Sequence, residues 1–117
     1  MNLHNTLAQL NQELSTRLNT YVYRIAAGQL TAPEANHRYF CIETAISLLG
    51  GPTPHESHIQ NTLEVIRELD VWAIEITRAA SFDTRFDDKR KVLAIQHAKS
   101  IISGGSESSP VKPITLF

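Results

Sequence analysis

LHNTLAQLNQELSTRLNTYVYRIAAG, residues 3–28, decides the fold. Leu3, Leu7, Leu10, Leu14, Leu18, Tyr21 and Ile25 recur at steps of three and four, which gathers them on one stripe of an α-helix. The pattern predicts a long amphipathic helix over residues 3–27, stopped by Gly28. Leu3, Leu14 and Ile25 repeat every eleven residues, about 3.67 per turn, whereas a left-handed coiled coil needs about 3.5. A seven-residue register would bring Arg17 and Arg24 into the seam. The helix therefore reads as a straight member of a bundle, not as a zipper. Its other faces carry Asn2, Asn5, Gln9, Asn11, Gln12 and Asn19 where Glu and Lys are usual. Amides cost less to bury than charges when they find partners. The plain reading is a solvated surface; the functional one is a second, wetter contact face, such as that of a homodimer.

Three further helices follow. Thr31 with Glu34 three residues on, and Pro33 between them, is a capping-box pattern. It opens a second helix over about residues 32–49, with Ala35, Tyr39, Ile42, Ala45, Ile46 and Leu49 inward, ended by Gly50-Gly51. Thr53-Pro54-His55-Glu56 repeats the device and predicts a third helix over 54–80, through Ile59, Leu63, Ile66, Leu69, Trp72, Ala73, Ile76 and Ala80. Ser81–Thr84 break the chain, and Asp83 or Thr84 caps a fourth helix over 85–102, with Phe86, Val92, Ile95, Ala98 and Ile102 inward. Gly104-Gly105 should stop it. No strand pattern or internal repeat competes. The expected architecture is an all-α bundle of about four helices, two of them long, over residues 1–103, with an extended C-terminal tail over 104–117.

Composition agrees with one globular domain. The chain has 117 residues, 42% of them hydrophobic and 20% charged, with a formal net charge of -1. That balance speaks against a dedicated nucleic-acid binder, which carries a basic excess. One cysteine excludes an internal disulfide. No leader pattern opens the chain and no apolar run reaches membrane-spanning length, so the expectation is a cytoplasmic protein without membrane contact. Charge is uneven: residues 51–82 carry two basic and five acidic groups, residues 83–117 six and four. An acidic third helix beside a basic fourth would attract across their packing surface.

Chemistry-bearing residues are sparse. His55 and His58, three apart around Glu56, are a metal-ligating spacing, but His37, Cys41 and His97 lack the spacing to complete a site, and the order differs from the zincin pattern. No metal and no cofactor are expected. Cys41 has His37 one turn earlier, yet it sits among Tyr39, Phe40 and Ile42, which suits a small core residue better than a nucleophile. The glycine pairs do not continue into a phosphate loop, and no serine has a nucleophile-elbow setting. Arg90 and His97 are seven apart, too far for the arginine–histidine pattern of helical nucleases. Nothing points to catalysis. Trp72 lies on the inward stripe with Leu69 and Ile76 and reads as core.

Two segments remain. Arg85, Lys89, Arg90 and Lys91 form the one basic cluster, diluted by Asp83, Asp87 and Asp88, and would be the nucleic-acid contact if one exists. The tail contains Pro110-Val111-Lys112-Pro113, then Ile114, Thr115, Leu116 and Phe117. Pro113–Phe117 resembles the short peptide by which bacterial replication and repair proteins grip the DNA sliding clamp. That peptide typically runs Gln, Leu, small polar, Leu, Phe; the last four places match, and Pro113 stands at the first. The resemblance implies an anchor made by Ile114, Leu116 and Phe117 on a partner protein, with the bundle hanging nearby. The tail could equally close on its own bundle or on a sister subunit.

The sequence thus predicts a non-catalytic binding or regulatory protein that docks on or occludes a partner protein, self-associates as a homo-oligomer, in the first instance a dimer, and uses the tail as an extra anchor. In size and lack of catalytic motifs it is similar to accessory and inhibitor proteins of phages and mobile elements. The alternatives are a nucleic-acid-associated protein using residues 85–91 and a small-ligand-binding helical oligomer.

Overall fold

A computed structural model of the chain describes residues 2–79 and 86–107. Four helices account for nearly all of it: α1 (Leu3–Ala26), α2 (Ala32–Leu48), α3 (Thr62–Ala79) and α4 (Phe86–Glu107), with one 3-10 turn at Glu56–His58 between α2 and α3. No strand occurs among the described residues. The all-α bundle of four helices is therefore the observed architecture. α1 and α2 run antiparallel, with Tyr21 near Ala35 and Leu14 near Ile46, and so do α2 and α3, with Thr44 at Gln60, Cys41 at Glu64 and Arg38 at Glu75; Asp70 joins α3 to Lys99 of α4. One core runs through the bundle: Leu10 from α1, Ile42, Ala45 and Ile46 from α2, Val65, Leu69 and Trp72 from α3, Ile95, Ala98 and Ile102 from α4. Tyr21, Leu30 and Ala35 form a smaller cluster at the α1–α2 end, with Tyr39 against it.

Local signals explain three of the helix starts and two of the stops. The Asn2 side chain caps α1 by accepting from the Asn5 amide at 2.8 Å. At α2 the capping box is complete: Thr31 Oγ1 accepts from the Glu34 amide and Glu34 Oε1 from the Thr31 amide. The Thr31 amide, and after it the Thr31 hydroxyl, hold the Glu34 carboxyl below its usual range. Gly28 and Gly50 take φ of 74° and 98°, the left-handed conformation in which a glycine ends a helix at least cost.

Two boundaries differ from the sequence reading. The Thr53-Pro54-His55-Glu56 segment starts no α-helix. His55 stays extended and its Nδ1 accepts from the Ser57 amide, the turn closes as 3-10, and the Gln60 amide donates to Thr44 Oγ1 on α2. Those ties keep the segment off a helical path until Asn61, whose Oδ1 accepts from the Glu64 amide at 2.9 Å and caps α3. At the other end, α4 continues through Gly104 and Gly105 to Glu107. Gly104 does not adopt the left-handed conformation that would stop it.

The stripe on α1 is corrected as well. The buried side chains are Thr6, Leu10, Arg17 and Tyr21, with Leu7 and Leu14 packed beside them, whereas Leu3, Leu18 and Ile25 are exposed. The seam steps 10, 14, 17, 21 along the chain, the seven-residue register that Arg17 had argued against. An eleven-residue repeat rotates away from such a seam as the helix proceeds. By Leu18 the apolar stripe has left the core and Arg17 has taken its place. Leu63 on α3 and Ile59, which lies before the helix begins, are likewise exposed, while Leu69 and Trp72 are buried as expected.

Candidate functional site

Arg17 is the largest fully buried side chain, 2% exposed in the seam between α1, α2 and α3. A guanidinium there must have its donors met within the protein. Nε donates to Glu13 Oε2 one turn earlier, at 2.7 Å; Nη1 donates to Glu68 Oε2 on α3 at 2.7 Å and to the Arg38 carbonyl on α2 at 3.2 Å. Arg38 completes the set. Its Nε lies 3.0–3.1 Å from both Glu68 oxygens and its Nη2 donates to Glu75 Oε1 at 2.7 Å. The Arg17 guanidinium also sits 5.5 Å from the Trp72 ring centre and 5.9 Å from that of Tyr21.

The network keeps its charges. Burial works against both guanidinium cations. For Arg17 the surrounding Tyr21, Glu13 and Glu68 outweigh it, and for Arg38 the hydrogen bond to Glu75 and the charge of Glu68 do, so both are held above their ordinary values. Burial pushes the Tyr21 phenol up, with Arg17 and Arg38 opposing. Among the described residues no buried polar side-chain atom lacks a partner. The network is therefore a closed structural clasp joining three helices. Its visible signal in the sequence is Glu68 on the inward stripe, between Val65 and Trp72, a position that needs a cation opposite.

Above this clasp lies a groove of about 300 Å3 between α1 and α2, with Arg17 in its floor and walls of Leu18, Tyr21, Val22, Ile25, Tyr39 and Phe40. Leu18 and Val22 are 62% and 65% exposed. A second apolar strip runs along α3. Leu63, Val71 and Ile74 are exposed there, within about 80° of one another at 100° per residue and on the side of α3 away from Leu69 and Trp72. Arg67 and Arg78 fall on the same strip.

The residues singled out from sequence are placed as follows. Cys41 is wholly buried; its Sγ lies 3.7 Å from His37 Nε2 and donates to the Glu64 carbonyl. Burial, followed by Glu68 and Glu64, pushes the thiol up to about 11. A nucleophile needs the opposite shift and access to solvent. His37 turns the same nitrogen toward Glu64 Oε1 at 3.4 Å. His58 stacks on Phe40, with ring centres 4.0 Å apart, and contacts Glu43 Oε1 at 3.2 Å, while His55 is tied to Ser57 at 2.7 Å. No group of three or more His, Cys, Asp or Glu side chains is placed to hold a metal ion among the described residues.

Of the basic cluster, Arg85 lies outside the described residues, Lys89 and Arg90 are exposed on α4, and Lys91 is half-buried. Successive helical positions fan apart by about 100°, so Lys89, Arg90 and Lys91 spread round the helix without forming one face. The expected attraction between α3 and α4 is present in the pair Lys99–Asp70. Glu68 and Glu75 turn instead to α1 and α2. Ile114, Leu116 and Phe117 lie outside the described residues. No helix is long and apolar enough to cross a membrane among the described residues.

Compared with protein-family models, with curated proteins and with solved structures, the chain matches none of them significantly.

Proposed function

We propose that this chain is a non-catalytic docking protein that binds another protein through the outer faces of its helices. The observation that carries the reading is the strip of Leu63, Val71 and Ile74 on α3, left in solvent opposite a complete core. Apolar residues at helical spacing on an outward face are what a helix presents to a partner groove. Arg67, paired with Glu64 at 2.8 Å, and Arg78 lie within the strip, and suit a partner that sets carboxylates among its apolar contacts. Cys41 is buried and Glu68 is held by two arginines, so neither is open to a substrate. The tail residues Ile114, Leu116 and Phe117 supply a second, independent anchor, by their resemblance to a sliding-clamp peptide.

The test is affinity capture from the source cell with three full-length proteins: the wild type, Leu63→Asp/Ile74→Asp, and Leu116→Asp/Phe117→Asp. A partner that holds the wild type and is lost with the α3 pair supports docking through that face. Loss with the tail pair alone transfers the contact to the tail. Equal recovery with all three removes both surfaces from the proposal.

A further inference from the structure

Resting on the reading of the α3 strip as a docking face, we propose that the chain's own tail, through Ile114, Leu116 and Phe117, covers that strip until a partner displaces it. These three residues lie outside the described residues, but their starting point is fixed: α4 ends at Glu107, seven to ten residues before them.

The strip lies beside α4. At 100° per residue, Leu63, Ile74, Arg67, Arg78 and Val71 fill about 80° of the α3 surface, and Asp70 lies about 20° beyond Leu63. Asp70 is paired with Lys99 of α4. On the opposite edge, beyond Val71, come Glu64 and Glu75, which turn to His37 and Arg38 of α2. The strip is therefore the outer surface between α2 and α4, and the Asp70–Lys99 pair marks its α4 edge. A chain leaving the end of α4 has no other helix to cross before it.

Reach is sufficient. With the Lys99 and Asp70 side chains in contact, their Cα atoms are at most about 13 Å apart. Glu107 lies eight residues along α4 from Lys99, and Ile74 four along α3 from Asp70, rises of about 12 Å and about 6 Å. Even laid end to end, these steps put Ile74 within about 31 Å of Glu107, and Val71 nearer. The tail spans up to about 32 Å to Leu116 and about 36 Å to Phe117. The bound holds whatever angle α4 makes with α3.

Tethering decides between occupants. A segment joined by so short a connection meets the strip at an effective concentration in the millimolar range, so a free partner or second copy at micromolar concentration competes at a disadvantage of about a thousandfold. Lys112 is the only charge in residues 108–117. The tail can therefore lie on Leu63, Val71 and Ile74 without taking a row of charges out of water. The consequence is regulatory. A partner that uses the strip binds only the uncovered fraction of molecules, which weakens its apparent affinity by that fraction. A partner that takes the tail first uncovers the strip, so the two contacts act in sequence.

Nuclear magnetic resonance of the full-length protein tests the contact without any partner. A nitroxide is attached to Thr115→Cys, the buried Cys41 being closed to the label. The amides of Leu63, Val71 and Ile74 are expected to lose peak height, and Leu63→Asp/Ile74→Asp in the same protein should restore it at Val71. Without any label, Leu116→Asp/Phe117→Asp should shift those same amides relative to the wild type. Loss of peak height centred on Leu18 and Val22 overturns the proposal, because the tail then fills the α1–α2 groove. So does uniform or absent broadening, or broadening that passes only between labelled and unlabelled molecules, which would place the tail on a second copy. Partner capture reads the docking face and this measurement reads its cover, so either can fail while the other stands.

Discussion

Arg17 Nη1 donates to Glu68 Oε2 at 2.7 Å across residues 51 apart in sequence, both side chains almost wholly out of solvent. Taking two charges out of water is costly, and their attraction offsets that cost only when the remaining donors and acceptors are met. Here Glu13, Arg38 and the Arg38 carbonyl meet them. Removing one partner leaves an uncompensated charge in the core. Glu68→Leu should therefore cost about 3–5 kcal/mol in urea unfolding. It strips an acceptor from two arginines, so it should cost more than Arg17→Met, after which Glu68 keeps Arg38. In the double variant the two costs should fall well short of additive, because the second substitution removes the charge that the first orphaned. Additive costs would show that the two side chains do not act as a unit.

Much of the fold was legible because local and global signals agreed. Thr31 and Glu34 announce α2, Gly28 and Gly50 stop helices where φ turns positive, and Ile42, Ile46, Leu69, Trp72 and Ile95 all reach the core. The clasp was not legible. Arg17 was excluded from the seam on its charge alone, and only the arrival of Glu68 from α3 makes burial affordable. Periodicity identifies a stripe but cannot tell which edge of it the neighbouring helices will cover. The exposed Leu18 and Leu63 are the residues where that distinction failed.

The start of α3 separates a sequence pattern from the cap in use. Thr53-Pro54-His55-Glu56 has the composition of a helix start, but Asn61 supplies the side-chain acceptor to the Glu64 amide in the first turn of α3. Asn61→Ala should cost about 1 kcal/mol, the usual loss of an N-cap. Thr53→Ala should cost no more than a few tenths, as at an ordinary surface position. Chemical denaturation of the two variants side by side decides between them; a larger loss at Thr53 would return the start of the helix to Pro54.

Cys41 makes a prediction in alkali. Its thiol is neutral in the core, with a folded value of about 11 against 9.0 when unperturbed. An acid whose folded value is raised adds stability below its unfolded value and loses it as pH rises through the folded one. The loss should run from about pH 9 to about pH 11 and reach about 3 kcal/mol. Tyr21 and Tyr39, both raised by burial, act in the same direction. Urea midpoints should fall across this range, and Cys41→Ala should fall less steeply. The thiol should also resist a disulfide reagent at neutral pH until the protein is unfolded. Parallel slopes for wild type and Cys41→Ala would place the alkaline loss elsewhere.

The divergence of stripe and seam on α1 gives the sharpest test of the packing. Leu10 and Leu18 belong to one leucine pattern, eight residues apart, and would be equivalent if the pattern alone decided burial. In the structure Leu10 is 0% exposed in the main core and Leu18 is 62% exposed on the groove wall. Leu10→Ala removes a packed side chain and opens a cavity, which typically costs about 2–5 kcal/mol. Leu18→Ala leaves nothing empty inside the monomer and should stay within about 0.5 kcal/mol at concentrations where the chain is monomeric. A Leu18→Ala cost that is large and independent of concentration would mean that the side chain is packed within its own bundle, and that the eleven-residue register describes the core after all.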